Sequence, residues 1–177
     1  LILLIIAGCS KTEQLLYDST SPLTSEKAYS RSTSLSVNIP QGWFTAEDND
    51  SFLIDLWLIE DNYISQIAIK TINLTEFSSI PDLKTLLRFS KTQKKVELNG
   101  KYKEVIPDEN FFINTIEFVS YQYYGENGLP VRCVLFTLNN KVFECIAQFS
   151  TKANKDKANS AGLFKVQNSV LGSISLK

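Results

Sequence analysis

From residue 35 onward the chain is written in short runs whose apolar and polar positions alternate. Leu35-Ser36-Val37-Asn38-Ile39 has the period-two pattern of a half-buried strand. Pro40-Gln41-Gly42 turns the chain into Trp43-Phe44-Thr45-Ala46, and the acidic group Glu47-Asp48-Asn49-Asp50 turns it again. Residues 51–59 predict a long strand with Phe52, Ile54, Leu56 and Leu58 on one face. Leu53, Asp55, Trp57 and Ile59 lie on the other. A strand apolar on both sides requires cover on both sides. After Glu60-Asp61-Asn62, residues 64–73 return as a further strand.

The period then changes. Ser79-Ile80-Pro81-Asp82 combines a capping serine, an early proline and a first-turn acid, and Leu83, Leu86, Leu87 and Ser90 repeat at helical spacing. Lys91, Lys94 and Lys95 gather at the C-terminal end of this helix, where they complement its dipole. Residues 96–98 and 101–106 around Asn99-Gly100 predict a hairpin. Residues 111–124 form one long β-prone run, and residues 131–138 and 142–149 predict a hairpin across Asn139-Asn140. A closing helix over residues 160–171 carries Leu163, Val166 and Val170 on one stripe and stops at Gly172. Three strands, a helix, four or five strands and a terminal helix predict an α+β domain. An antiparallel β-sheet of about six to eight strands would have helices packed on it as an α/β/α sandwich.

The N-terminal end reads differently. Leu1 to Ala7 are unbroken apolar residues, far short of the roughly 20 a membrane-spanning helix needs. The run fits the apolar part of a secretory signal that lacks its basic front, so residues 1–8 are expected to be an N-terminally clipped signal remnant. Ile6-Ala7-Gly8-Cys9 has the residue types of a bacterial lipobox. The Cys9 thiol is the nucleophile that takes the lipid, and the small side chains before it admit the signal peptidase. Two or three acyl chains make a stable anchor where one does not. Residues 10–34 hold eleven Ser or Thr among 25 positions and show no sustained period. Residues 9–34 are therefore expected to be a lipidated cysteine and flexible tether, reaching about 25–30 Å, and residues 35–177 the folded domain.

Composition narrows the chemistry. Hydrophobic residues make up 44% of the chain and net charge is −1, with 18 basic and 19 acidic residues interspersed, so no nucleic-acid partner is expected. There is no histidine. That removes histidine-dependent triads, imidazole acid–base catalysis and most zinc or copper sites. With Cys9 lipidated, Cys133 and Cys145 remain as a pair in an oxidising compartment. A two-residue loop at 139–140 puts them on opposite faces of the hairpin. A three-residue loop puts them directly opposite each other, so a disulfide depends on one step of register.

Taken together, the order of elements resembles the PsbP-like sandwich family, which includes DcrB-type bacterial lipoproteins. The residues that carry the resemblance are Ser36-Val37-Asn38-Ile39-Pro40-Gln41-Gly42-Trp43, the aromatic-rich strand from Phe111, and Asn168-Ser169-Val170-Leu171-Gly172-Ser173-Ile174. The resemblance implies the sandwich fold and a non-enzymatic binding or assembly role, and supplies no catalytic set.

Candidate sites are few. Glu47, Asp48 and Asp50 offer oxygens suited to calcium, at a spacing that matches no calcium loop and in a turn where such residues are common. No metal and no cofactor is expected. Asp55 and Glu117 lie in apolar strands and would serve a hydrolase only as a pair about 5–10 Å apart. Trp43, Trp57, Tyr121, Tyr123 and Tyr124 suit either a core or a sugar or peptide groove, and Tyr121 and Tyr123, on one strand face, are the candidate binding face. The expected function is that of a membrane-anchored, extracytoplasmic lipoprotein of the cell envelope. It would face the periplasm, or sit in the outer membrane of a cell that has one, and bind a protein or envelope partner without catalysis. The alternatives are an anchored carboxylate-based hydrolase and a small-ligand carrier with a cavity between sheet and helix.

Overall fold

The computed structural model describes residues 15–47, 53–74 and 79–176. The strands in chain order are β1 (Leu23–Tyr29), β2 (Leu35–Pro40), β3 (Trp43–Thr45), β4 (Leu56–Glu60) and β5 (Ser65–Ile72), followed by helix α1 (Leu83–Glu97). Next come β6 (Glu109–Ile113), β7 (Ile116–Tyr124), β8 (Pro130–Leu138) and β9 (Lys141–Phe149), then helix α2 (Ser160–Gly172) and the short β10 (Ser175–Leu176). Seven strands make an antiparallel sheet in the order β3-β4-β5-β9-β8-β7-β6, and β1-β2-β10 make a smaller one. The α+β sandwich expected from the pattern is the fold observed.

Period-two alternation sorts the large sheet's side chains into two cores. On one face Val119, Tyr121, Cys133 and Leu135 pack beneath Leu86 and Leu87 of α1. On the other, Phe118, Val134, Phe136, Phe143 and Cys145 pack against Leu163 and Phe164 of α2 and Val37 of the small sheet. The central strands β8 and β9 are covered on both sides, which accounts for their nearly continuous apolar run.

Asn139 and Asn140 both take left-handed φ values, 48° and 57°, as a two-residue type I′ turn requires, and Leu138 pairs with Lys141. Cys133 therefore faces Ile146 and Cys145 faces Val134. The two thiols stand on opposite faces, buried and free, and no disulfide joins them.

Several elements differ from the sequence pattern, beginning with the strand expected over residues 51–59, which among the described residues is only β4, Leu56–Glu60. Residues 15–34, expected to be part of a flexible tether, instead include β1, which pairs with β2, and Leu15 and Tyr17, which pack on the α2-side core. The hairpin expected at 96–106 does not form. Helix α1 runs on through Val96 and Glu97 and ends where Asn99 and Gly100 turn left-handed at 44° and 80°. The run from 111 to 124 is two strands, folded back where Asn114 takes a φ of 56°. The cap of α1 also moves three residues on from Ser79, since it is the Asp82 carboxylate that accepts from the Thr85 N–H at 2.9 Å.

Candidate binding groove

The structure puts the expected binding face inside the protein. Tyr121 and Tyr123 share a face and stack at 6.0 Å between centroids, but α1 covers them and leaves them 1% and 6% exposed. The Tyr121 hydroxyl and the Ser90 hydroxyl lie 2.7 Å apart, and Ser90 donates to the Glu144 carboxylate at 2.5 Å. Lys70 closes the chain with an ion pair to Glu144 at 2.7 Å. The pair of tyrosines is thus part of a filled core, with the Tyr121 hydroxyl held by Ser90.

Asp55 and Glu117 are not brought together. Asp55 precedes β4 and accepts from the Ser32 hydroxyl and the Thr71 N–H, while Glu117 lies on β7 and accepts from Asn110 at 2.9 Å. Four strand spacings separate them, roughly 19 Å. Of the proposed calcium oxygens only Glu47 lies among the described residues; Asp48 and Asp50 fall outside them, as does the lipobox at 6–9.

Sequence reasoning missed a second buried polar cluster on the α2 side. Arg132 of β8 is 1% exposed and donates to Asn168 at 2.7 Å and to Gln167 at 3.2 Å, both on α2. Glu109 of β6 accepts from it at 3.3 Å. The rings of Tyr17 and Phe111 flank the guanidinium, each centroid 5.1 Å away. Tyr17 is held in turn by Gln122 at 3.1 Å and by the Asn168 amide, which bonds its carbonyl. Through this cluster the N-terminal segment is fastened along α2, and Ser21 adds a bond to Ser169 at 2.9 Å.

Where the sheet, α2 and this segment meet at one end of the sandwich, a groove of about 460 Å³ stays open. Its size is in the range of small-molecule sites, roughly 300–1,000 Å³. Trp43 and Glu60 line it from the sheet, directly opposite each other in the β3–β4 register. Leu163 and Val166 of α2 give it an apolar wall, and Asn154, Lys157 and Asn159 edge it from the loop ahead of that helix. Asn159 caps α2, its side-chain oxygen accepting from the Gly162 N–H at 2.9 Å. A Cβ at Gly162 would stand 2.6 Å from the Asn159 amide nitrogen and would have to displace that capping side chain. Replacing Asn159 by Ala is expected to lower stability by about 1 kcal/mol in urea unfolding, the ordinary cost of losing such a cap. Trp43 was a visible candidate in the sequence. Its partners were not, since they come from a turn and a polar loop with no periodic signal.

No family model and no curated protein matches the sequence. Solved structures do. The solution structure of cyanobacterial PsbP (CyanoP) from Synechocystis sp. PCC 6803 superposes with a TM-score of 0.56 at 10% identity, covering 97% of this chain and 99% of that one. The crystal structure of LpqN, involved in cell envelope biogenesis of Mycobacterium tuberculosis, superposes with a TM-score of 0.52 at 13% identity, covering 81% of this chain and 83% of that one. At these identities what is shared is the architecture, and the chain has a PsbP-like fold.

Proposed function

We propose that the protein is a lipid-anchored, extracytoplasmic module that binds an envelope component or partner protein and performs no catalysis. The observation that carries this reading is the placement of Ile6-Ala7-Gly8-Cys9 directly ahead of a body that is packed from Leu15 onward. Six residues span at most about 20 Å. A lipid on Cys9 would therefore hold the domain near the membrane face, closer than a free 25-residue tether would. The groove beside Trp43 supplies a place for a partner. The absence of histidine from the sequence and the separation of Asp55 from Glu117 weigh against the hydrolase alternative. The part of LpqN in cell envelope biogenesis, in a protein of the same fold, is consistent with an envelope role.

The test is acylation and fractionation in the protein's own host. With a radiolabelled fatty acid, the wild-type chain is expected to carry label and to sediment with membranes. Cys9→Ser is expected to lose the label and, once the membranes are washed, the membrane association. Equal label or equal sedimentation in the two proteins would overturn the anchor.

A further inference from the structure

We infer that the groove beside Trp43 takes a saccharide, bound with the C–H face of one ring on the indole and its hydroxyl edge toward Glu60 and the asparagines. This rests on the reading of the chain as a binding module and assigns its ligand class. Three features of the groove select the chemistry.

The first is the pairing of an aromatic face with a carboxylate. Trp43 and Glu60 are direct cross-strand partners, and partners of this kind have Cβ atoms about 4.5–5.5 Å apart on one face of the sheet. The negative face of an indole attracts the weakly positive C–H bonds of a pyranose. A carboxylate beside it can accept from two neighbouring hydroxyls.

The second is the state of the polar groups. Asn62, Asn154 and Asn159 each use the side-chain oxygen internally, accepting from the backbone N–H groups of Ile64, Asp156 and Gly162 at 2.8, 2.9 and 2.9 Å. Asn62, Asn154, Asn159 and Lys157 are exposed and Glu60 is half-buried, so their amide NH₂, ammonium and carboxylate groups are open to a ligand that takes the place of solvent. The groove thus presents a surplus of donors with one strong acceptor, which suits a ligand rich in oxygen atoms.

The third is charge balance. One carboxylate and one ammonium face the same space, so a phosphate would meet Glu60 and a cationic peptide would meet Lys157. A neutral ligand meets neither penalty, and a sugar can use both groups. The apolar wall of Leu163 and Val166 gives cover for the ring without the closed cavity that an acyl chain requires.

The experiment is a titration of the ¹⁵N-labelled mature chain, followed by amide NMR, with chitotriose and cellotriose. Trialanine and inorganic phosphate serve as comparison probes. At least one of the two sugars is expected to shift the amides of Trp43, Asn62 and Gly162 saturably, with a dissociation constant of about 0.1–1 mM. Trp43→Ala and Glu60→Gln are expected each to weaken that binding about tenfold or more, whereas Trp57→Phe, outside the groove, leaves it unchanged. Glu60 is at the rim, so its variant tests the site even if Trp43→Ala fails to fold.

The proposal is overturned by an absence of shifts with both sugars up to about 20 mM, a concentration well above the expected constant. It is equally overturned if the shifts persist undiminished in both groove variants, or if trialanine binds the groove and the sugars do not. That last result would remove the sugar and leave the binding module intact. Failure of Cys9 acylation, by contrast, would remove the anchor without touching the groove.

Discussion

Replacing Arg132 by Ala is expected to lower the unfolding free energy by about 3–5 kcal/mol, the range for breaking one partner out of a buried ionic cluster. The guanidinium is 1% exposed. Burial pushes its proton affinity down, and the Glu109 carboxylate beside it works in the opposite direction. Without the arginine, Glu109 loses its cation, while Gln167 and Asn168 lose the donor between their carbonyls. The rings of Tyr17 and Phe111 lose what they enclose. Urea unfolding at neutral pH measures the loss. Limited proteolysis measures a second consequence, because the N-terminal segment is fastened through Tyr17 and is expected to be cut earlier in the variant. Arg132→Met keeps most of the volume and is expected to cost less than Arg132→Ala, which separates lost packing from lost charge. A change below about 1 kcal/mol in the alanine variant would show that the cluster does not hold the domain together.

The two cores were legible in the sequence to different degrees. The α2 stripe of Leu163, Val166 and Val170 and the α1 face of Leu86, Leu87 and Ser90 follow from spacing, although α2 also buries Phe164, Gln167 and Asn168 beside that stripe, which spacing did not show. Strands β8 and β9 were equally plain, since two covered faces leave little room for polar residues. Strand β1 was hidden. Its sequence, Leu23-Thr24-Ser25-Glu26-Lys27-Ala28-Tyr29, buries only Ala28 fully and is polar from Thr24 to Lys27, as an edge strand's can be, so it resembles a linker. The hairpin at 96–106 failed because Asn-Gly ends a helix as readily as it turns a hairpin, both needing left-handed backbone.

Arg132 was passed over for another reason. An arginine in an apolar strand looks like an edge residue until the chain brings Glu109 from β6 and Asn168 from α2 to meet it, contacts 23 and 36 residues away. The groove shares that difficulty. Its indole was visible, but Glu60 closes a strand and Asn62 and Lys157 are ordinary turn and loop residues, and their convergence depends on β4 ending where β5 and α2 begin. Distant polar partners are the part of a fold that periodicity does not encode. In this chain they comprise both buried clusters and the rim of the site.

Raising the pH is expected to destabilise the protein steadily from about pH 8.5 upward, and the thiols are the first cause. Cys133 and Cys145 lie in opposite cores with no exposure. Burial pushes both thiols up, Cys145 to about 12 and Cys133 further in the same direction. Burial also raises Tyr121 and Tyr123 far above the usual phenol range. In the unfolded chain the thiols ionise near pH 8.5 and the phenols near 10, as approximate reference values.

Below about pH 8.5 all four groups are protonated in both states and stability is unaffected by them. Above it the unfolded chain sheds protons that the folded chain keeps, so the unfolded state binds fewer and stability falls as pH rises. Each thiol contributes a loss of about 1.4 kcal/mol per pH unit, and the loss continues until the folded pKa is reached. Two thiols and then two phenols give a cumulative loss on the order of 9 kcal/mol by pH 11, comparable with the whole stability of an ordinary domain.

Urea unfolding at intervals between pH 7 and pH 11 reads this slope. The double variant Cys133→Ala, Cys145→Ala is expected to start lower at pH 7, because two buried side chains have been trimmed. Its profile should nevertheless stay nearly flat to about pH 10, where only the phenols begin to act. Parallel profiles for the two proteins would mean that the thiols ionise as easily inside the fold as outside it. The burial of both sulfur atoms without exposure is the observation that such a result would leave without consequence for their ionisation.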